Sequence, residues 1–110
     1  MERAVFVYTT YPSIVEAETV GKALVERRLA ACVNILPEMI SLYAWDGAVE
    51  RAEEVVMIIK TRASRAEQVR AAVKEIHSYA TPAILVIPLE GVDSSYLEWL
   101  LAATEGEAEA

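Results

Sequence analysis

His77 is the only histidine of the chain and Cys32 its only cysteine, so each side chain best suited to acid–base, nucleophilic or soft-metal chemistry occurs once. His77 could ligate copper or zinc, act as a general acid or base, or make a polar contact in a cleft. Its structural alternative is a helix C-terminal histidine that interacts with the last carbonyls and the dipole. Cys32 stands between Ala31 and Val33 with no Lys or Arg beside it to activate the thiol, and is expected to be a small buried core residue. Tyr43 and Trp45 share one face of a strand by their spacing of two, where they could floor a ligand cleft or pack in a subunit interface. Lys60 could neutralise an anionic ligand or a carboxylate such as Glu54; the alternative is a solvated strand-end lysine. Glu53 and Glu54 are adjacent, so one must point outward, and a solvated strand face is expected there rather than a hard-cation site. Tyr79 and Pro82 shape a loop after His77, with Pro82 pushing Thr81 into an extended conformation. Trp99 reads as a packing residue. There is no glycine-rich phosphate loop, no C-x-x-C, no H-E-x-x-H and no nucleophile elbow.

The elements that must position these residues follow from pattern. A β-branched and aromatic run over residues 3–9 predicts a strand, broken at Tyr11-Pro12. Ser13-Ile14-Val15-Glu16 has the S-x-x-E form of a capping box and opens a helix ending near Leu29. Residues 31–45 predict a strand with a bulge or bend at Pro37, lying along a sheet edge because proline cannot donate a ladder hydrogen bond. Asp46-Gly47 is a strong hairpin signal, and residues 49–61 predict the returning strand. Val55 to Ile59 do not alternate in polarity, so both faces of that strand must be covered: helices on one, and on the other a neighbouring subunit. Ser64-Arg65-Ala66-Glu67 predicts a second capped helix with Ala66, Val69, Val73 and Ile76 on its buried stripe, stopping near His77. Residues 83–89 predict a third apolar strand after the hairpin, and 96–103 a final short helix. The order β-α-β-β-α-β plus a helix is the ferredoxin-like pattern of the α+β class, an antiparallel sheet with helices packed on it. Residues 1–103 form one domain, and 104–110 an acidic tail expected to fray.

Composition narrows the function classes. A chain of 110 residues has room for one domain, and 55% hydrophobic content makes it globular. Ten Lys and Arg against 17 Asp and Glu give a net charge of -7, which disfavours nucleic acid and anionic membranes as partners. The high apolar content of so short a chain points to a subunit interface. The lone cysteine, with no signal-peptide pattern and no bilayer-spanning run, leads to an expected cytoplasmic location.

Five segments in register carry a family resemblance: residues 29–35 (LAACVNI), residues 41–47 (SLYAWDG), Glu54 with Ile59-Lys60-Thr61, residues 77–82 (HSYATP) and residues 96–100 (YLEWL). In order and spacing they resemble the CutA divalent-cation-tolerance family over nearly the whole chain. The resemblance implies a ferredoxin-like protomer assembled as a tight homotrimer, the extended hairpin overhanging one sheet and pairing with the next. It further implies a role in tolerance of divalent metals, with copper(II) bound by some members, a likeness to PII signalling proteins, and no established catalytic activity. The family's copper site draws on a Cys late in the first strand and two adjacent His before the loop Tyr. Here Tyr8 and Ile76 stand at two of those positions and His77 alone matches.

The functional expectation is thus a non-enzymatic trimer for divalent-metal tolerance, its cleft between protomers lined by Tyr43, Trp45, Lys60 and Tyr79, with His77 as the metal-ligand candidate for copper(II) or another divalent cation. A PII-like module binding a small anionic metabolite through Lys60 is the alternative. An enzyme using His77 as general acid–base, or a scaffold that only assembles, are the remaining readings.

Overall fold

The computed structural model describes residues 2–106. Strand β1 (Ala4–Tyr11) turns Val7, Thr9 and Tyr11 to one side, where all three are fully buried. It runs two residues further than the expected end at Thr9, and the bend at Pro12 then stops it. Helix α1 (Ile14–Glu26) starts as its sequence requires, with the Ser13 hydroxyl accepting from the Glu16 N–H at 3.2 Å. The return half of the capping box is not made, because the Glu16 carboxylate instead accepts the backbone N–H of Ser78 at 3.2 Å. α1 ends at Glu26, short of Leu29. Arg28 adopts a left-handed φ of 61°, and the bonds Arg28 N–H to Val25 O and Leu29 N–H to Leu24 O form a Schellman terminus.

Strands β2 (Cys32–Trp45) and β3 (Ala48–Arg62) form the long hairpin. At its tip Asp46 and Gly47 both have positive φ (49° and 81°), the conformation a two-residue turn needs to match strand twist. The expected irregularity at Pro37 is a register shift between Leu36 and Met39, with Glu38 at φ 64°. The antiparallel sheet has the order β2-β3-β1-β4, so β2 is indeed an edge, as is β4 (Ile84–Pro88). β1 reaches β3 only from Val55 to Arg62. Beyond that, Met39–Trp45 and Ala48–Glu54 continue as a bare two-stranded ribbon, which stretches the molecule to 46 Å in its longest dimension.

Helix α2 (Ala66–Glu75) corrects the second capping box. A 3-10 turn (Ala63–Arg65) precedes it, no side chain caps it, and the Ser64 hydroxyl donates to Glu2 while Glu67 takes the Arg70 guanidinium. Its buried stripe is Ala66, Val69, Ala72 and Val73; Ile76, expected on it, is half-exposed because the helix ends at Glu75. Helices α1 and α2 cover one sheet face, packing Ala17, Val20, Leu24, Val69 and Val73 on Val7, Val55, Met57 and Ile59. Helix α3 (Ser94–Ala103) lies against Ala4 and Ala31 through Leu100 and shelters part of the opposite face. The rest of that face remains open: Leu36, Leu85 and Ile87 are exposed, as the unalternating β3 pattern anticipates for a surface awaiting a cover. Thr104, read from sequence as the start of a frayed tail, is fully buried, with Arg62 donating to its hydroxyl at 2.8 Å and Arg65 to its carbonyl. The next two tail residues accept guanidinium hydrogen bonds on their carbonyls, Glu105 from Arg28 at 3.0 Å and Gly106 from Arg65, and the last four, 107–110, lie outside the described residues.

Candidate functional site

The site forms where β1 ends, α2 ends and the hairpin leaves the sheet. His77 follows the last turn of α2 and presents both ring nitrogens to backbone. Its Nδ1 accepts the Tyr79 N–H at 3.1 Å, so the ring proton resides on Nε2, which donates to the Thr10 carbonyl at 2.7 Å. The ring stacks on Tyr11 with centroids 4.3 Å apart and planes 10° from parallel, and meets Tyr79 at 4.8 Å. Histidine here ties the 77–79 loop to the end of β1. That differs from simple capping of the last α2 carbonyls: the acceptor is on another element.

Tyr79, so placed, donates its hydroxyl to Glu54 Oε2 at 2.8 Å, while Ser41 across the hairpin donates to Glu54 Oε1 at 2.6 Å. Burial pushes the Glu54 carboxyl up, but the Ser41, Tyr79 and Thr10 hydroxyls outweigh it and hold the group below the usual carboxylate range. Burial, then the bond to Glu54, pushes the Tyr79 phenol up, so it stays protonated. Tyr11 is raised by burial and by the Glu16 charge. Glu54 therefore corrects the expectation of a solvated acidic pair: Glu53 faces solvent beside Arg51, whereas Glu54 is turned into the site. Period-two spacing gave no signal for it, because Glu53 aligns with Val55, Met57 and Ile59 just as Glu54 aligns with Val56 and Ile58.

Of the four expected cleft residues, Tyr79 enters the Glu54 network, and Tyr43 and Trp45 lie further along the β2 face that carries Ser41. Tyr43 lies two residues beyond Ser41 on the same strand face and acts electrostatically on the Tyr79 phenol. Trp45, two residues further, is 68% exposed. Met39 is the ladder partner of Glu54, and its sulfur accepts from the Tyr8 hydroxyl at 3.5 Å. Lys60 is not part of this group. It sits six residues from Glu54, roughly 20 Å along an extended strand. Its ammonium lies over Phe6 and Tyr96, 5.9 and 5.7 Å from their centroids. Cys32 is its cross-strand partner, and is half-buried beside the Tyr96 hydroxyl at 3.8 Å; it is not the core residue expected. Cys32 and His77 thus lie at opposite ends of the sheet, and no thiol–imidazole pair forms. Trp99, expected to pack, packs against Tyr96 at 5.6 Å yet remains half-exposed.

The donor set of one protomer fits a metal ion poorly. Both His77 nitrogens are already engaged, the Tyr79 phenol stays protonated, and no group of three or more His, Cys, Asp or Glu able to hold a metal occurs among the described residues. One protomer does not make a metal centre by itself.

Comparison with known proteins agrees with this architecture. The family model described as CutA1 divalent ion tolerance protein matches residues 5–103. A divalent-cation tolerance protein CutA of Archaeoglobus fulgidus is 47% identical over 95 residues, 86% of this chain and 92% of that protein. Among solved structures, CutA1 from Ehrlichia chaffeensis superimposes with a TM-score of 0.92 at 28% identity, covering 96% of this chain and 98% of that one. The structure of the periplasmic divalent cation tolerance protein CutA from A. fulgidus does so with a TM-score of 0.89 at 45% identity, covering 93% and 99%.

Proposed function

We propose, from the premise that this chain belongs to the CutA1 divalent ion tolerance family, that it is a non-enzymatic homotrimer serving divalent-cation tolerance through a ligand cleft at the base of the hairpin. The observation that carries this reading is the ribbon itself. Leu42, Trp45 and Val49 are 69%, 68% and 75% exposed on a two-stranded extension that no other element of the protomer covers. An isolated hairpin is marginally stable in water, and an apolar one is an aggregation hazard unless a partner pairs with it. A neighbouring copy offers the match: the open edges of β2 and β4 and the uncovered face around Leu85 and Ile87. Docked there, the ribbon would wall off Glu54, Tyr79 and His77 between protomers.

Within that cleft His77 acts as a positioning residue. A copper(II) or other divalent ion held at the cleft would have to take further ligands from a second protomer and displace at least one His77 hydrogen bond. Isothermal titration of metal-stripped protein with copper(II), beside His77→Ala, tests this. Saturable binding of one ion per protomer, lost in the variant, supports a cleft metal site; binding that the variant retains contradicts it. The lone Cys32 supports a cytoplasmic location, which subcellular fractionation decides against the periplasmic description of the A. fulgidus relative. No helix of the described residues is long and apolar enough to cross a membrane.

A second reading places a small anion at the other end of the sheet. The Lys60 ammonium there has aromatic neighbours, and no ion pair described in the structure includes it. Loss of metabolite binding in Lys60→Ala, with His77→Ala unaffected, would select this reading.

A further inference from the structure

Glu54 presents an unusual electrostatic situation. It is a part-buried carboxylate held by the hydroxyls of Ser41, Tyr79 and Thr10. The ion pairs among the described residues join Arg51 to Glu53, Arg62 to Glu2 and Arg70 to Glu67, and none includes Glu54. Hydroxyls dominate the field that keeps it ionised, His77 adds a smaller share, and no lysine or arginine contributes. A part-buried carboxylate with no lysine or arginine paired to it leaves room for a positive ligand as its complement.

The walls decide which positive ligand. Tyr79 bonds the carboxylate, Met39 is its cross-strand partner with Tyr8 bonded to the Met39 sulfur, and Tyr43 and Trp45 continue the Met39 strand face. A divalent metal wants several oxygen, nitrogen or sulfur donors and gives up its water reluctantly. Here the imidazole nitrogens are occupied and the Tyr79 phenol is committed to Glu54 as a donor. An organic ammonium group asks for the opposite: π faces, polarisable sulfur and one carboxylate, with little hydration to lose. The chain's charge of -7 adds a long-range field that draws cations and repels anions.

We propose that the cleft at Glu54, Tyr79 and Tyr43 binds an organic ammonium cation, with the carboxylate supplying the charge partner and the aromatic side chains the cage. This rests on the hairpin-base cleft proposed above and names its ligand class. The two oxygens of Glu54 each accept one hydroxyl and retain lone pairs for an N–H or for close approach of a methylated ammonium.

The test compares choline with dimethylbutanol, its uncharged carbon isostere, by isothermal titration of the wild-type protein and of Glu54→Gln and Lys60→Ala. Choline is expected to bind at least about tenfold more tightly than the isostere, the scale of a desolvated cation–π contact. Glu54→Gln should remove that preference, and Lys60→Ala should leave it intact. Equal binding of the two compounds to the wild-type protein, no binding of choline at millimolar concentration, or a preference that survives Glu54→Gln would overturn the proposal. The wild-type comparison needs no variant to fold. Solution mass measured on the same samples separates the two levels of inference: no choline preference in an intact trimer refutes the ammonium ligand alone, and a monomeric chain refutes the cleft.

Discussion

Removing the Tyr79 hydroxyl should report directly on the Glu54 network. In Tyr79→Phe the ring keeps its place against His77, 4.8 Å away, and only the 2.8 Å bond to the Glu54 carboxylate is lost. A hydrogen bond to a charged group contributes about 1.5 to 3 kcal/mol. Glu54 is part-buried and retains the Ser41 bond, so the lower end applies: about 1.5 kcal/mol, roughly tenfold in the unfolding equilibrium. The pH dependence has a defined sign. The native Glu54 carboxyl is held below its ordinary value, so the stability it contributes is complete above the unfolded carboxylate pKa of about 4.3 and disappears as pH falls through the lower native one. Guanidinium unfolding should therefore show the full loss in Tyr79→Phe near neutral pH and a much smaller one near pH 3. Protein concentration must be held constant, since subunit association would add to apparent stability. A double-mutant cycle with Glu54→Gln should give a coupling of about 1 kcal/mol at neutral pH. Coupling near zero, or a Tyr79→Phe loss independent of pH, would refute the network described here.

Other substitutions probe the frame around the site. Thr61 is fully buried and donates to the Leu29 carbonyl at 2.6 Å, so Thr61→Val should lower stability by about 1 to 2 kcal/mol in chemical unfolding. Gly21→Ala sets two effects against each other. The new methyl would lie 2.7 Å from Val33 Cγ2 and 3.1 Å from the Met57 sulfur, and overpacking of about 1 to 3 kcal/mol exceeds a helix-propensity gain of at most about 1, so the melting temperature should fall. Leu42→Glu, on the exposed ribbon, should reduce the solution mass toward a single chain while leaving the circular dichroism of the protomer close to wild type; an unchanged mass would place the interface elsewhere.

Much of the frame was legible because its signals are local. Asp46-Gly47 fixes a turn by backbone sterics alone, Pro37 forces an irregular edge, and Ser13 caps α1 through a bond three residues away. Local signals also misled. The second S-x-x-E matches the motif, yet Ser64 sits one 3-10 turn too early and prefers the carboxylate of Glu2, 62 residues away in sequence. Cys32 was misplaced because its apolar neighbours announce a strand without saying whether anything covers the face it points to. Within one protomer Lys60 and Tyr79 stand apart, because the length of β3 from Glu54 to Lys60 separates them. Glu54 was missed for the converse reason. Its neighbour Glu53 made a solvated pair the simpler reading, and only the fold reveals the hydroxyls of Ser41 and Tyr79 converging on it.

The measurement closest to the central claim is the solution mass of the unmodified chain by light scattering across a dilution series into the micromolar range. A single species of three chains, unchanged on dilution, is the predicted result, because the apolar ribbon and the open β4 edge must be buried together. A stable single chain would contradict the account, since Leu42, Trp45 and Val49 would then be tolerated in water and the cleft at Glu54 would have no second wall.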